Sequence, residues 1–591
     1  MKMGSLTGNL EYIYQDAVRA YAGTLKPVVA RHWAALAPAL QPLADKLCLC
    51  VDSLLEDINA SLGLWAPWQL VLLTVVATAL LSWVLDAAQH AKHTLQDKGV
   101  TQVLARLAFR LPVLRGIVAA KEQKVVDDLE ESMKKGAAPD ALHELPPAGT
   151  PAADLKRRLG AKGLEDHQFK EGASTVSGVL YMAGREHLEL LEAAYSTFSM
   201  TNPMHANLFP AVRRMEVEVV RMTASILGGG PLGDPGVCGA MTSGGTESIL
   251  TAVKASRDYM AATRGITSPE MIVAVSAHAA FIKAAEYFGI RLIRLPVGKD
   301  YRLGGRAVRR AISRNTVLVV ASAPGFPHGV MDHVTEIAAA AAARGVPCHV
   351  DCCLGGFVLP FAARLGRRVP PFDFSVPGVT SISADTHKFG QGHKGTSVVL
   401  YRSKDIRKYQ YTSITDWTGG LYISPGFAGS RSGALIATAW ASLVHLGEDG
   451  FLEATSAILA AADEFQAGVR AIPGMEVLDS PEGSVVAVRS TNRSVDIYEV
   501  NDLMTRRGWH LSPLQSPPAV HICFTAAHTG PDTVRRLVDD LAECTAEVAA
   551  APGTKAEGGT APMYGAAAAM PDRSVVGRFL VAYQDLLLDS C

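Results

Sequence analysis

The stretch SISADTHK at residues 381–388 decides the fold class of this chain, because an apolar, strand-like run leads directly into a lysine. Lys388 is followed by Phe389-Gly390 and a glycine-rich loop. A lysine at a strand end, rather than on a solvated helix face, can form a Schiff base with a carbonyl cofactor. Taken alone, Lys388 also fits an ordinary lysine, since most lysines are merely exposed to solvent.

A carboxylate ends a second strand-like run upstream. The run Val346–Asp351 is followed by two glycines at 355 and 356. A buried aspartate needs a partner, and a protonated pyridine nitrogen is a suitable one, because the ion pair keeps the ring electron-withdrawing. The alternative is that Asp351 only caps the next segment.

Two further motifs lie upstream, one at the start of a predicted helix and one after a predicted strand. TSGGTES at 242–248 opens an apolar helical run, and small residues at a helix N-terminus leave N–H groups free to bind a phosphate. It is not a P-loop, because the Gly-Lys-Ser/Thr ending is missing. His278 follows the predicted strand Ile272–Val275 and could stack on a cofactor ring. Each also has a simpler interpretation, an ordinary helix cap and a structural histidine.

Between about residues 165 and 440, short β-branched runs alternate with helical ones. This alternation predicts an α/β fold with a mostly parallel sheet covered on both faces, and 441–550 has the pattern of a smaller α+β domain. The expected strands of the large domain are Ile272–Val275, Val317–Ala321, Cys348–Asp351, Ser381–Ala384 and Ser397–Tyr401.

An apolar run near the N-terminus predicts a single transmembrane helix. Leu64–Leu85 holds 22 residues without a charge, enough to cross about 30 Å of hydrocarbon. A buried core helix is the alternative. Lys46 is the one cation close before the run, so residues 1–63 are expected in the lumen and the body in the cytosol. The cations that follow the run are Lys92, Lys98 and Arg106.

The remaining composition excludes several protein classes. With 56 Lys and Arg against 57 Asp and Glu, the net charge is −1, so no basic excess supports nucleic-acid binding. Nine cysteines without a CxxC pair argue against a disulfide scaffold or a zinc ribbon. Residues 86–164 are expected to be helical with a linker, and 551–591 a linker with a short tail.

The strings around these residues resemble those of the sphingosine-1-phosphate lyase family, fold-type I pyridoxal-phosphate enzymes related to the group II decarboxylases. The resemblance covers roughly residues 165–550. The strings that carry it are TNPMH (201–205), MTSGGTES (241–248), SAHAAF (276–281), FPHGVMD (326–332), HVDCCLGGF (349–357), SISADTHKFG (381–390) and DWTGGLY (416–422).

The resemblance implies a role for each matching residue. Lys388 would carry the cofactor, Asp351 would pair with its pyridinium nitrogen and His278 would stack on its ring. Ser430 would come from the neighbouring subunit of a homodimer. The residues that would bind the cofactor phosphate, besides Ser430, are Gly244, Gly245, Thr246 and His387.

A second set would bind the substrate phosphate or assist catalysis: Tyr181, His205 and Lys394. The loop departs from the family pattern at His393, where a proline is more usual, and this puts the local phosphate geometry in question. The general base stays open between Lys388, His205, Tyr181 and the phosphate of the substrate itself.

The activity implied by the resemblance is cleavage of sphingosine 1-phosphate or sphinganine 1-phosphate. The products would be a long-chain aldehyde and ethanolamine phosphate, in sphingolipid degradation at the endoplasmic reticulum membrane. One alternative is an amino-acid decarboxylase of the same fold. Another is a catalytically silent membrane scaffold, against which the presence of both Lys388 and Asp351 argues.

Overall fold

The computed structural model describes most of the chain after residue 141. Contacts between residues divide the chain into two units, and one of them, Ala148–Thr554, contains all the predicted site residues. The described residues are 142–167, 172–182, 184–479, 481–551 and 574–589, with five single helical positions upstream.

A seven-stranded sheet forms the centre of the large unit. Its strands, numbered along the chain, are β1 Cys238–Thr242, β2 Glu270–Ala274, β3 Arg291–Leu295, β4 Thr316–Ser322, β5 Cys348–Asp351, β6 Val379–Ala384 and β7 Ser397–Tyr401. Their order across the sheet is β1-β7-β6-β5-β4-β2-β3. All neighbours from β6 to β3 pair in parallel, and β7 is antiparallel to both β6 and β1. The predicted mostly parallel sheet is therefore confirmed.

The sequence explains both the parallel part and its exception. β4 and β5 are buried along their whole length, as expected of strands covered on both faces. β7 begins only 13 residues after β6 ends, with no crossover helix between them. Because a parallel neighbour needs a long crossover, β7 returns antiparallel.

Helices cover this sheet. The helix Gly245–Arg264, α4, has its first turn at the edge where β6 ends. Most of the inward face of α4 is buried against the sheet. The helices up to residue 407 are α1 Ala152–Gly163, α2 Arg185–Phe198, α3 Pro210–Ile226, α4 Gly245–Arg264, α5 Ala279–Tyr287, α6 Gly305–Ala311, α7 Val334–Ala342, α8 Leu359–Arg364 and α9 Lys404–Arg407.

A hairpin and a smaller α+β part complete the unit. The small sheet is antiparallel, in the order β10-β11-β13-β12. The helix Gly433–Ala471, α10, continues through residue 440 and has non-helical backbone at Gly447. The domain boundary predicted at residue 440 stays a prediction. The elements are β8 Thr412–Trp417, β9 Gly420–Ser424, α10 Gly433–Ala471, β10 Met475–Val477, β11 Val485–Ser490, α11 Ile497–Arg506, β12 Ser512–Leu514, β13 Ala519–Cys523 and α12 Thr533–Ala550.

The other unit contributes one described helix, α13 Ser574–Asp589, where the sequence predicts an amphipathic tail. Within the described residues, no helix combines the length and apolar character needed to cross a bilayer. The predicted span Leu64–Leu85 lies outside the described residues, apart from Val76 and Leu80.

Candidate active site

Four predicted site motifs meet at one edge of the central sheet. Strands β2, β5 and β6 run parallel and end there, and β1 shares their direction because it pairs antiparallel with β7. His278, Asp351 and Lys388 follow the ends of β2, β5 and β6, and α4 begins after β1. The crevice at the carboxyl ends of the strands is where open α/β sheets bind ligands.

Lys388 lies in a tight turn directly after β6. Its backbone N–H donates to the carbonyl of Asp385, and its Nζ lies 2.9 Å from Oδ2 of the same aspartate. Burial lowers the pKa of the Lys388 amine, but the Asp385 carboxylate outweighs burial and holds this pKa above its usual value. The lysine is therefore a partly buried ammonium with a fixed counterion, which excludes the interpretation as an ordinary exposed lysine.

Asp385 is a site residue that the sequence interpretation missed. Its side chain is 1% exposed, beneath the first turn of α4. A methyl group on Gly245 would lie 2.7 Å from Asp385 Oδ2 and 2.9 Å from Sγ of Cys353. Only glycine allows the helix to start so close to the carboxylate. The signal was the acidic residue at the start of the DTHK string, directly after the predicted strand Ser381–Ala384.

Asp351 ends β5 and is held as a carboxylate. Its Oδ1 accepts hydrogen bonds from the backbone N–H of Cys353 (3.1 Å) and the hydroxyl of Ser383 (3.2 Å). Burial raises the pKa of Asp351, but His278 and the Cys353 hydrogen bonds outweigh it, and the pKa lies below the usual range. A buried, charged acceptor of this kind fits a protonated ring nitrogen.

A histidine in the same strand extends this network. His349 Nε2 donates to the hydroxyl of Ser383 at 3.2 Å, and its Nδ1 lies 2.9 Å from the hydroxyl of Ser381. Burial lowers the pKa of His349 to about 4, so the ring is neutral. Ser383 therefore links a neutral imidazole to Asp351, and sequence reasoning identified neither His349 nor Ser383 as part of the site.

His278 is exposed and lies at the N-terminus of α5. Its Nδ1 accepts a hydrogen bond from the backbone N–H of Ala280 at 3.1 Å, which fixes the direction of the ring. Its interaction with Asp351 lowers the pKa of that carboxyl. The structure therefore brings His278 and Asp351 into one site, and their roles toward a cofactor stay predictions.

The start of α4 has the features of a phosphate cradle. Gly244 precedes the helix with φ of 158° and no side chain caps it. His387 lies alongside, because a Cβ on Gly244 would be 3.7 Å from its ring. The ring is oriented by Nδ1, which donates to the carbonyl of Thr396 at 2.5 Å. Gly244, Gly245, Thr246 and His387 are thus placed to bind an anion at the positive end of the helix.

Lys394 and Tyr181 lie together near Lys388. The Nζ of Lys394 is 4.6 Å from the centre of the Tyr181 ring, and the edge of that ring packs against Phe389. Burial and then the charge of Lys388 lower the pKa of Lys394, and burial raises the pKa of Tyr181. The second cation, next to Lys388, gives this side of the site a positive field for a dianionic phosphate.

His205 and Ser430 are placed differently from the other predicted residues. Both are exposed, and among the described residues neither forms a hydrogen bond or an ion pair with Lys388. Hydrogen bonds of Asn202 connect the segments that contain these two residues. Its Nδ2 donates to Ser430 Oγ at 3.1 Å, and its Oδ1 accepts from the backbone N–H of Arg431 at 3.2 Å. Ser430 at this exposed position agrees with its predicted role toward a neighbouring subunit, which stays a prediction.

The loop after Lys388 is buttressed by residues that sequence reasoning could not find. His187 of α2 donates from Nε2 to the carbonyl of Gln391 at 3.1 Å, and Ser442 of α10 donates to the carbonyl of Gly390 at 2.7 Å. His393 in this loop accepts at its carbonyl from the hydroxyl of Thr396. A proline at 393 would offer the same carbonyl, so this hydrogen bond does not depend on the departure from the family pattern.

The residues at this sheet edge fit pyridoxal phosphate. A helix N-terminus that only glycine can form, a buried carboxylate and a paired lysine correspond to its phosphate, its ring nitrogen and its aldehyde. Among the described residues, no group of His, Cys, Asp or Glu could hold a metal ion.

Comparisons with known proteins agree with this chemistry. Residues 178–490 match the pyridoxal-dependent decarboxylase conserved domain. The chain is 44% identical to a sphingosine-1-phosphate lyase of Arabidopsis thaliana and 46% identical to one of Oryza sativa. These matches cover 90% of this chain and 96% and 97% of the relatives.

A solved structure gives the same answer. The sphingosine-1-phosphate lyase of Burkholderia pseudomallei superposes with a TM-score of 0.66 at 43% identity, over 70% of this chain and 94% of that one. The chain belongs to the sphingosine-1-phosphate lyase family, within the pyridoxal-dependent decarboxylases.

Proposed function

We propose that this chain cleaves the C2–C3 bond of sphingosine 1-phosphate or sphinganine 1-phosphate, releasing a long-chain aldehyde and ethanolamine phosphate. The observation that carries the proposal is that a second cation, Lys394, lies close to the partly buried Lys388 beside the cradle. A decarboxylase needs one cation for a substrate carboxylate, whereas a phosphorylated base brings a dianion to the site.

The cofactor supplies an electron sink for the pair released when the C2–C3 bond breaks. This chain's residues bind and orient it. Asp351 would present a charged oxygen to the ring nitrogen, His278 would cover the ring, and the first turn of α4 with His387 would bind the phosphate. Lys388 provides the amine for covalent attachment.

The substrate phosphate is assigned to Lys394, with Tyr181 fixing the direction of its side chain. The 3-hydroxyl proton must go to a base, and the candidates stay Lys388, His205, Tyr181 and the phosphate of the substrate. The high pKa of both Lys388 and Tyr181 makes them proton donors in the resting protein, so either needs a prior proton loss to act as the base.

In this proposal the enzyme is a homodimer whose subunits share their sites through Ser430. The support is the β8–β9 hairpin just before Ser430, which exposes Trp417, Leu421 and Ile423. Exposed apolar side chains in one hairpin are typical of an interface. Light scattering on the full chain should give twice the chain mass, and Leu421→Asp should reduce it to one.

The proposal also includes anchoring in the endoplasmic reticulum membrane through Leu64–Leu85, with the catalytic body in the cytosol. The uncharged 22-residue run and the cations after it support this placement. Deletion of residues 64–85 should move the protein from the membrane pellet to the soluble fraction. Recovery in the pellet after deletion would contradict the anchor.

The deciding experiment incubates the full chain and pyridoxal phosphate with a phosphorylated long-chain base and measures fatty aldehyde. Lys388→Ala should abolish the product, and full turnover by that variant would overturn the assignment. Release of carbon dioxide from glutamate or an aromatic amino acid would favour the decarboxylase alternative. That alternative rests only on the wider family that residues 178–490 match.

A further inference from the structure

Asp385 has no role in the proposed function, yet it is among the most buried charges of the site. Its side chain is 1% exposed and its Oδ2 lies 2.9 Å from Lys388 Nζ. Its Oδ1 is also buried and has no hydrogen-bond partner among the described residues. A buried carboxylate held through one oxygen by one cation depends strongly on that cation.

Asp385 is surrounded by the first turn of α4 and by several titratable side chains from other segments. Gly245, in the first turn of α4, lies next to the carboxylate, so the positive end of the helix dipole is close to it. His387 is the next cation-forming side chain, with Nε2 at 3.8 Å from Oδ2. The titratable groups in electrostatic contact with Asp385 are Lys388, His387, Lys394, Tyr181 and Cys353.

We propose that Asp385 is a positioning residue for Lys388: it holds the unattached lysine as an ammonium beside the α4 N-terminus, and releases it when the amine attaches to the cofactor. The inference rests on the proposed function of Lys388. Among the groups that face the carboxylate, only Lys388 forms a close ion pair with it, so the pair sets both the direction and the charge of Nζ.

Attachment of the cofactor needs the neutral amine. The Nζ lone pair forms a bond to the aldehyde carbon, the carbonyl oxygen leaves as one water molecule, and the ammonium first gives one proton to solvent. Asp385 opposes that proton loss, because an anion beside an ammonium favours its charged form. The rate of attachment should therefore depend on pH through the Asp385–Lys388 pair.

The first test measures cofactor capture by the cofactor-free full chain, followed by the visible absorbance of the bound group, between about pH 6 and 10. Because the wild-type midpoint lies above about pH 10, Asp385→Asn should show its shift as a capture rate about tenfold or more higher at each pH in this range, which corresponds to a midpoint lower by about one unit or more. An unchanged midpoint with only a smaller amplitude would mean a merely structural role and would overturn the inference.

A matched control is Asp332→Asn. Asp332 is another buried carboxylate, which accepts from the backbone N–H groups of Leu303 and Ser322 and has no part in the proposed site. This variant should lose stability but keep the wild-type midpoint of capture. A shift as large as that of Asp385→Asn would show that any buried charge change moves the profile, and the inference would fail.

The second test uses no cofactor and no substitution of Asp385. Lys388→Ala leaves a buried carboxylate unpaired, so the variant should melt below wild type at neutral pH. Its deficit should shrink as the pH falls, because protonation in the variant removes the buried charge that the substitution leaves without a counterion. A deficit that stays constant with pH would contradict the pair.

These measurements separate the inference from the proposed function. Should the melting deficit shrink with pH while no aldehyde is formed from any phosphorylated base, the Asp385–Lys388 pair stands and the lyase assignment fails. Should the aldehyde form but the capture midpoint and the deficit both stay unchanged, the lyase assignment stands and Asp385 has no positioning role.

Discussion

The ammonium of Lys394 lies 4.6 Å from the centre of the Tyr181 ring, and this contact holds the second cation of the site in a fixed direction. An aromatic face attracts a cation by its quadrupole, most strongly where water is excluded. Tyr181 is buried, whereas Lys394 is exposed. The contact therefore directs the positive charge of an exposed lysine over the buried ring of Tyr181.

Lys394→Ala should weaken the use of phosphorylated substrate. A hydrogen bond to a charged group is worth about 1.5–3 kcal/mol, so KM for a sphingoid base phosphate should rise roughly 10- to 100-fold with a smaller change in kcat. The measurement is steady-state kinetics of aldehyde release. Lys283→Ala is the control, because Lys283 lies over Tyr287 in the same kind of contact on the surface. Unchanged kinetics in Lys394→Ala would remove this residue from the phosphate site.

Asp351→Asn should reduce catalysis while the protein stays folded. The amide can still accept from Cys353 but carries no charge to pair with a ring nitrogen. Loss of a buried charge pair costs about 3 kcal/mol, which corresponds to about a 100-fold fall in kcat. Single-turnover kinetics and circular dichroism measure the two quantities. A variant with full kcat would show that the carboxylate charge does not serve the cofactor.

The central sheet could be predicted because its strands are short, buried β-branched runs, and β5 and β7 have the bounds that the sequence indicates. β1 and β3 were not predicted, for physical reasons. β1 contains a glycine and is mostly half-buried, and β3 is an edge strand in which two arginines interrupt the apolar pattern. Neither sequence shows a continuous apolar run or a regular alternation of apolar and polar residues, which are the patterns that predict a strand.

The site was predictable where one motif carries its residue to a strand end, as for Asp351 and Lys388. It was not predictable where residues meet across the fold. His187 precedes Gln391 by 204 residues and Ser442 follows Gly390 by 52, and no local pattern links them. Their role depends on how α2 and α10 pack on the loop, which only tertiary structure reveals.

Ser442→Ala tests this support of the loop. The hydroxyl donates to Gly390 and lies 3.2 Å from Nε2 of His187, so its loss leaves buried polar groups unpaired. We expect the free energy of unfolding to fall by about 1–3 kcal/mol and KM for the phosphorylated substrate to rise, because Lys394 is in the same loop. Chemical denaturation and aldehyde kinetics give the two values.

Ser256→Ala is the matched control for that change. Ser256 is as buried as Ser442, but its hydroxyl has no hydrogen-bond partner among the described residues. Its replacement should leave stability and KM close to wild type. If both serine variants were equally affected, the hydrogen bonds to the loop would not be the cause.

Stability should fall steeply in mild acid. Burial lowers the pKa of four histidines, His328, His349, His521 and His528, to about 4 in the folded protein. The unfolded chain binds these protons near pH 6.5, whereas the folded protein does not, so stability is lost as the pH falls from about 6.5 to 4. Each pH unit is worth about 1.4 kcal/mol per histidine at the most, which gives on the order of 3 kcal/mol for each by pH 4.

His328→Phe isolates one of these contributions, because His328 Nε2 is buried without a hydrogen-bond partner among the described residues. Phenylalanine keeps the ring beside Tyr301 and binds no proton, so the variant should lose less stability than wild type between pH 6.5 and 4. His143→Phe, at an exposed histidine, should leave the slope unchanged. Denaturant melts at several pH values measure the slope, and equal slopes for His328→Phe and wild type would mean that His328 binds its proton in the folded state as well.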